Sequence, residues 1–153
     1  MLQRLTNRLK NEPFLWTALL LAGVVYGLIS LVNHYYFRTY TLDLGAYTNA
    51  LYDYAHFSAN DSSAFNEAPE NLLADHFDLY LPLFSPLSYL FGTYTLLIVQ
   101  LIATLAGAIG VYRYFEYTHP QQNIRKFALI YFLLFFGVFA AFSFDYHSNV
   151  VLR

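Results

Sequence analysis

Hydrophobic and polar positions along the chain fall into long uncharged runs separated by charged or polar stretches. After Arg4, Arg8, Lys10, Glu12 and Pro13 come nineteen uncharged residues, Phe14 to Val32. At 1.5 Å per residue such a helix is about 28 Å long, close to the roughly 30 Å of bilayer hydrocarbon. The apolar core of a secretory signal is shorter, about 7–15 residues, and ends at a small-residue cleavage site. Here the run passes instead into Asn33-His34-Tyr35-Tyr36-Phe37, an aromatic belt, and predicts a retained transmembrane helix over about 14–33. From Leu79 to Tyr112 the chain again carries no charge. One straight helix of that length would reach about 51 Å, too long for a bilayer. Pro82, Pro86 and Gly92 divide it into a short interfacial helix over about 79–91 and a second span over about 93–112. A third uncharged run, Phe127 to Phe144, predicts a third span over about 127–144, which ends at Asp145-Tyr146-His147-Ser148-Asn149.

Between the first two runs, Leu44, Tyr47, Leu51 and Tyr54 recur at helical spacing. They predict an amphipathic helix over about 43–57, lying on the membrane or on neighbouring helices. Ser58 to Asn71 reads as a polar loop, and its Asn60-Asp61-Ser62 triplet matches a glycosylation pattern too common by chance to carry weight. The fold class is therefore an all-α membrane protein, a single membrane domain over 1–153 with segment 34–92 as a loop on one face. Small residues four apart (Gly23 and Gly27, Ala103 and Gly107, Ala106 and Gly110) offer close helix packing, and Gln100 and Thr104 offer interhelical hydrogen bonds.

Composition agrees: 58% of residues are hydrophobic, 20% aromatic and only 12% charged, against about 25% charged in an average soluble domain. A net charge of -2 gives no reason to expect nucleic-acid binding, and the absence of Cys excludes disulfides, thiolate metal sites and a cysteine nucleophile. The placement of charge says more. Arg38 to Asp78 holds seven acids and one base, whereas Arg4, Arg8, Lys10, Arg113, Arg125 and Lys126 flank the opposite ends of the spans. By the positive-inside rule the amino terminus is cytoplasmic and the loop 34–92 external, across a cytoplasmic (inner) membrane.

That orientation brings Asp145 and His147 to the same face as Asp43, Asp75 and His76. A carboxylate beside apolar surface can have a raised pKa, which suits a general base taking a proton from a hydroxyl. Carboxylate and imidazole together, as in Asp75 and His76, could also hold a divalent cation with positions open for phosphate. A plainer reading stands beside these: Asp is a favoured N-cap, and Asp43, Asp75 and Asp145 each precede an expected helix. His34, His56 and His119 read as interfacial or loop residues.

The elements Asp43-Leu44-Gly45, Ala74-Asp75-His76-Phe77, Pro82-Leu-Phe-Ser-Pro86 and Phe144-Asp145-Tyr146-His147, with Gln100 in the next span, form a familiar combination. From about Arg38 to Asn149 the chain resembles a family of bacterial multi-spanning membrane proteins of unknown function, itself similar to GT-C-type glycosyltransferases such as the protein O-mannosyltransferases and the lipid A aminoarabinose transferase. The resemblance implies a first external loop with membrane-parallel helices and an active-site acid. Asp43 would be the general base for an acceptor hydroxyl, with a sugar delivered from a polyprenyl-phosphate donor. Asp75 and His76 would line the same pocket and bind phosphate or a metal, and Asp145 and His147 would close it. Members of that family have many more spans, so the chain is expected to be an N-terminal part, with the rest of a longer protein missing. Two other readings compete: a non-enzymatic membrane protein whose loop binds a partner or lipid, and a transporter component. Against transport, the three spans contain almost no ionisable residues.

Overall fold

A computed structural model describes residues 12–39, 44–60, 72, 79–120, 123–144 and 146. Among these residues the secondary structure is entirely helical. Helix α1 (Pro13–Gly27) continues through a π turn (Leu28–Val32) into α2 (Asn33–Tyr35), and α3 (Ala46–Ala55) follows. Next come α4 (Tyr80–Phe84), a 3₁₀ turn (Ser85–Leu87), α5 (Ser88–Phe91), a second 3₁₀ turn (Gly92–Tyr94) and the long α6 (Thr95–Thr118). Helices α7 (Ile124–Leu133) and α8 (Phe136–Phe144) are the last among the described residues. Three helical stretches, Pro13–Tyr35, Tyr80–Thr118 and Ile124–Phe144, are long and apolar enough to cross a membrane. The expected all-α architecture with three spans is therefore present. Large apolar side chains such as Leu20, Leu21, Ile102, Phe127 and Phe136 face outward, a surface that requires lipid rather than water.

The overlong second run is divided where its prolines and glycine predicted. Pro86 has no N–H to offer the carbonyl of Pro82, and the Ser85 hydroxyl donates to that carbonyl instead, at 2.9 Å. Gly92 turns the chain at φ 54°, a left-handed conformation that favours glycine. The Thr95 hydroxyl donates to the Gly92 carbonyl at 2.7 Å. The amphipathic helix also matches its pattern: Leu44, Tyr47 and Leu51 are buried, Tyr54 is half-buried, and Tyr52 on the other face is exposed.

The bundle departs from expectation at the opposite end. The polar turn expected from Arg113 to Lys126 is mostly helix, because α6 runs on to Thr118 and α7 begins at Ile124. The charges there neutralise one another. Glu12 accepts from the Tyr112 hydroxyl at 2.9 Å on one oxygen and from Arg125 at 3.2 Å on the other. Arg125 also donates to Glu116 at 2.7 Å, and Glu116 takes a further bond from Arg113. Paired charges need not leave the helix to find water.

Small-residue packing is also partly revised. Side chains added at Gly23 and Gly27 would meet Leu105 at 3.5 Å and Leu101 at 3.7 Å, so this pair seats α1 on α6. Gly107 likewise accepts Phe132 of α7. Ala106 and Gly110 are exposed, and nothing lies within 4 Å of a Cβ placed on Gly110, so this second pair makes no close packing. Thr104 does not bridge helices either, because its hydroxyl donates to the Gln100 carbonyl of its own helix at 2.9 Å.

The third span, expected as one helix, is interrupted at Leu134–Phe135. A Cβ on Gly137 would lie 2.8 Å from Cε1 of Phe135, so the glycine leaves room for that ring beside the break. Tyr26 of α1 holds both halves, donating its hydroxyl to the Leu133 carbonyl and stacking its ring on Phe142 at 4.6 Å and 17°.

Two expected outcomes follow from this packing. Gly23→Ala and Gly27→Ala place a methyl at ordinary contact distance and should leave thermal unfolding in detergent nearly unchanged, whereas Gly23→Leu or Gly27→Leu should destabilise by about 1–3 kcal/mol. A Glu12→Gln/Arg125→Gln double-mutant cycle should give a coupling of about 0.5–3 kcal/mol by thermal unfolding, as expected for groups in one hydrogen-bonded network.

Candidate functional site

At the end of the bundle away from Glu12, segments far apart in sequence share one buried cluster. It contains Leu44, Tyr47 and Leu51 from the amphipathic helix, Tyr80 and Leu81 from α4, Leu96 and Leu97 from α6, and Tyr146 from beyond α8. The Tyr146 hydroxyl donates to that of Tyr80 at 2.6 Å, and its ring meets Tyr47 edge-on with centroids 5.4 Å apart. Asp43, Asp75, His76, Asp145 and His147, the acids and imidazoles singled out from the sequence, lie outside the described residues. Leu44, next to Asp43, and Tyr146, between Asp145 and His147, are both members of the cluster. Among the described residues no three His, Asp or Glu side chains gather as a metal-binding set.

The polar loop is tied in by Asn60, which is only 3% exposed. Its amide nitrogen donates to Asp53 at 2.9 Å and its oxygen accepts from the Leu72 backbone N–H at 3.1 Å. The nitrogen that glycosylation would need is therefore buried and bonded. Beside Asp53, burial and then the aspartate charge push the Tyr54 phenol above its ordinary pKa, so it stays protonated and neutral.

His34, read from sequence as an interfacial or loop residue, lies at the end of the first span. Its Nδ1 is 3.1 Å from the Thr39 hydroxyl and its Nε2 is 2.9 Å from that of Thr93. The ring also meets Tyr94 edge-on at 4.6 Å. The histidine thus joins the end of the first span to the entrance of the second. Together with Thr39, Thr48 and Thr93 it lines a cavity of about 270 Å³. Phe37, Leu44 and Gly45 complete its described wall. No local motif marks His34, because Thr93 lies 59 residues away. A polar histidine at the end of an apolar span was the only available sign. By contrast, His56 caps its own helix end through the Tyr52 carbonyl at 2.8 Å, and His119 is exposed, as expected of loop residues.

The chain belongs to the family described as Predicted membrane protein (DUF2079), whose model matches residues 33–152. No curated protein and no solved structure matches the chain. The matched region starts at Asn33, beside His34, and contains all of the cavity and all of the tyrosine cluster.

Removing the hydroxyl of either Tyr80 or Tyr146 removes the bond between the two. Tyr80→Phe and Tyr146→Phe should each lower stability by about 1 kcal/mol, and the double variant by less than the sum, measured by thermal unfolding in detergent.

Proposed function

We propose that this member of the DUF2079 membrane-protein family is a glycosyltransferase-like protein, or part of one, that moves a sugar from a polyprenyl-phosphate donor to an acceptor hydroxyl at the external face of the cytoplasmic membrane. The observation that carries this reading is the convergence at one end of the bundle. An amphipathic helix directly after the first span packs with α4 and Tyr146, and a hydroxyl-lined cavity opens beside Leu44 and Gly45. Leu44, beside Asp43, and Tyr146, between Asp145 and His147, meet there with Tyr80, four residues after His76, and this supports a shared site.

In this reading Asp43 is the general base that takes the acceptor proton. Asp75 and His76 bind the donor phosphate, directly or through a divalent cation, and Asp145 and His147 close the site from the third span. The bilayer holds the lipid tail of the donor. The orientation is supported by the bases Arg113, Arg125 and Lys126, which lie at the end of the bundle away from the cavity. Their pairing with Glu12 and Glu116 does not weaken the argument, since topology follows Lys and Arg rather than net charge.

Radiolabelled sugar transfer from polyprenyl-phosphate sugars, measured in membranes carrying the protein, tests the assignment. Asp43→Asn should slow transfer by about 10²–10⁴-fold, the usual contribution of a general base. Equal rates would remove Asp43 from that role. The chain has no Cys, so single cysteines at Ser63 and Thr118 report the orientation: the first should label from outside and the second from inside.

A further inference from the structure

The geometry around His34 points to a binding site for a single neutral sugar ring, formed by His34, Thr39, Thr48 and Thr93 with Phe37 at its edge. The inference deepens the transferase reading and rests on it for the reason a sugar is met here. The ligand class rests on the cavity itself.

Among the described residues of the lining there is no Lys, Arg, Asp or Glu. An anion such as phosphate would give up its hydration without gaining a counter-charge, which is unfavourable. Arg38, the base nearest in sequence, places its guanidinium over the Tyr36 ring at 5.7 Å. The described wall is therefore suited to a neutral ligand with many hydroxyls.

The polar groups are arranged to present both donors and acceptors. A neutral imidazole donates from one ring nitrogen and accepts at the other. With Thr39 and Thr93 on its two nitrogens, one threonine receives the imidazole proton and keeps its own O–H free to donate into the cavity. The other spends its proton on the ring and retains lone pairs to accept. Exchange of tautomer swaps the two roles. Adjacent hydroxyls of a sugar, each both donor and acceptor, fit such a pair in either sense, and Thr48 adds a third hydroxyl.

Phe37 supplies the apolar part. It ends the first span in the left-handed region at φ 55°, held by bonds from its own N–H to the His34 carbonyl at 3.0 Å and from the Arg38 N–H to the Asn33 carbonyl at 2.9 Å. Glycine is the usual residue at this helix-ending position. Phe57 ends α3 in the same conformation, so the turn alone is a way of stopping a helix. What distinguishes Phe37 is its place on the cavity wall with its residue 95% exposed, where its flat face can cover the C–H face of a sugar. At about 270 Å³ the cavity lies at the small end of ligand sites, which run from roughly 300 Å³ upward, and suits one ring rather than a chain of them.

The test is binding, kept separate from transfer. The full chain in lipid nanodiscs is examined by saturation-transfer NMR with the methyl glycosides of glucose, mannose and galactose, and with inorganic phosphate as competitor. At least one glycoside should show saturated ring protons. Thr93→Val and Phe37→Ala, each checked for an unchanged unfolding temperature, should weaken binding by about 10-fold or more. Absence of glycoside binding, or displacement by inorganic phosphate, overturns the inference, even if Asp43→Asn abolishes transfer. Glycoside binding that depends on Thr93 and Phe37 sustains the site, even if Asp43→Asn transfers normally and the transferase reading falls.

Discussion

Glu12 is the fixed point of the bundle. One of its oxygens takes the Tyr112 hydroxyl and the other takes Arg125, while Arg125 reaches Glu116 and Glu116 holds Arg113. Two acids and two bases cancel, and the Arg125 guanidinium lies 5.2 Å from the centre of the Tyr112 ring. This clamp joins the start of the first span, the end of the second and the start of the third. Its importance follows from the solvent: in lipid no hydrophobic force drives helices together, so packing and polar bonds must determine which faces meet. Once the ends are joined, Gly23 and Gly27 set α1 against Leu105 and Leu101.

Tyrosine hydroxyls then repeat the same service at successive depths. Tyr112 acts at the clamped end, Tyr26 near the middle and the Tyr80–Tyr146 pair at the far end. Each provides a long apolar body for packing and a single polar group at its tip. The middle bond matters most for shape. An interrupted helix leaves backbone groups that lipid cannot satisfy, and Tyr26 gives the Leu133 carbonyl a partner where α7 ends. Stacking of the same ring on Phe142 places α8 beyond the break, and from there the chain reaches Tyr146 in the tyrosine cluster.

The spans and the amphipathic helix were legible because their signals are local: uncharged length, helical spacing, and Pro or Gly at the breaks. Pro86 and Gly92 divided the second run for the reasons their backbone chemistry gives. Sequence reasoning failed where a residue's role depends on a distant partner. Arg113 and Glu116 looked like a polar turn until Glu12 and Arg125 were placed beside them. Nothing near Leu134 announces the break in the third span, which depends on Phe135 folding over Gly137 and on a tyrosine from another helix. His34 was set aside for the same reason, since Thr93, 59 residues away, becomes its neighbour only through the fold. Of the candidate site, the cavity was not legible, because Thr93 reaches His34 only through the fold.

The π turn at Leu28–Val32 links the spanning helix to that cavity. A π turn accommodates about one residue more than an α turn, and one residue rotates everything after it by about 100° about the helix axis. The turn packs against α8 and buries Ser30, so its geometry is fixed by the third span as well as by the first. Downstream of it, His34 is directed at Thr93 and the entrance of the second span. A regular helix through the same residues would direct position 34 elsewhere around the axis. The cavity wall is thus set by all three spans at once: the first carries the histidine, the second supplies Thr93, and the third presses on the turn that aims one at the other.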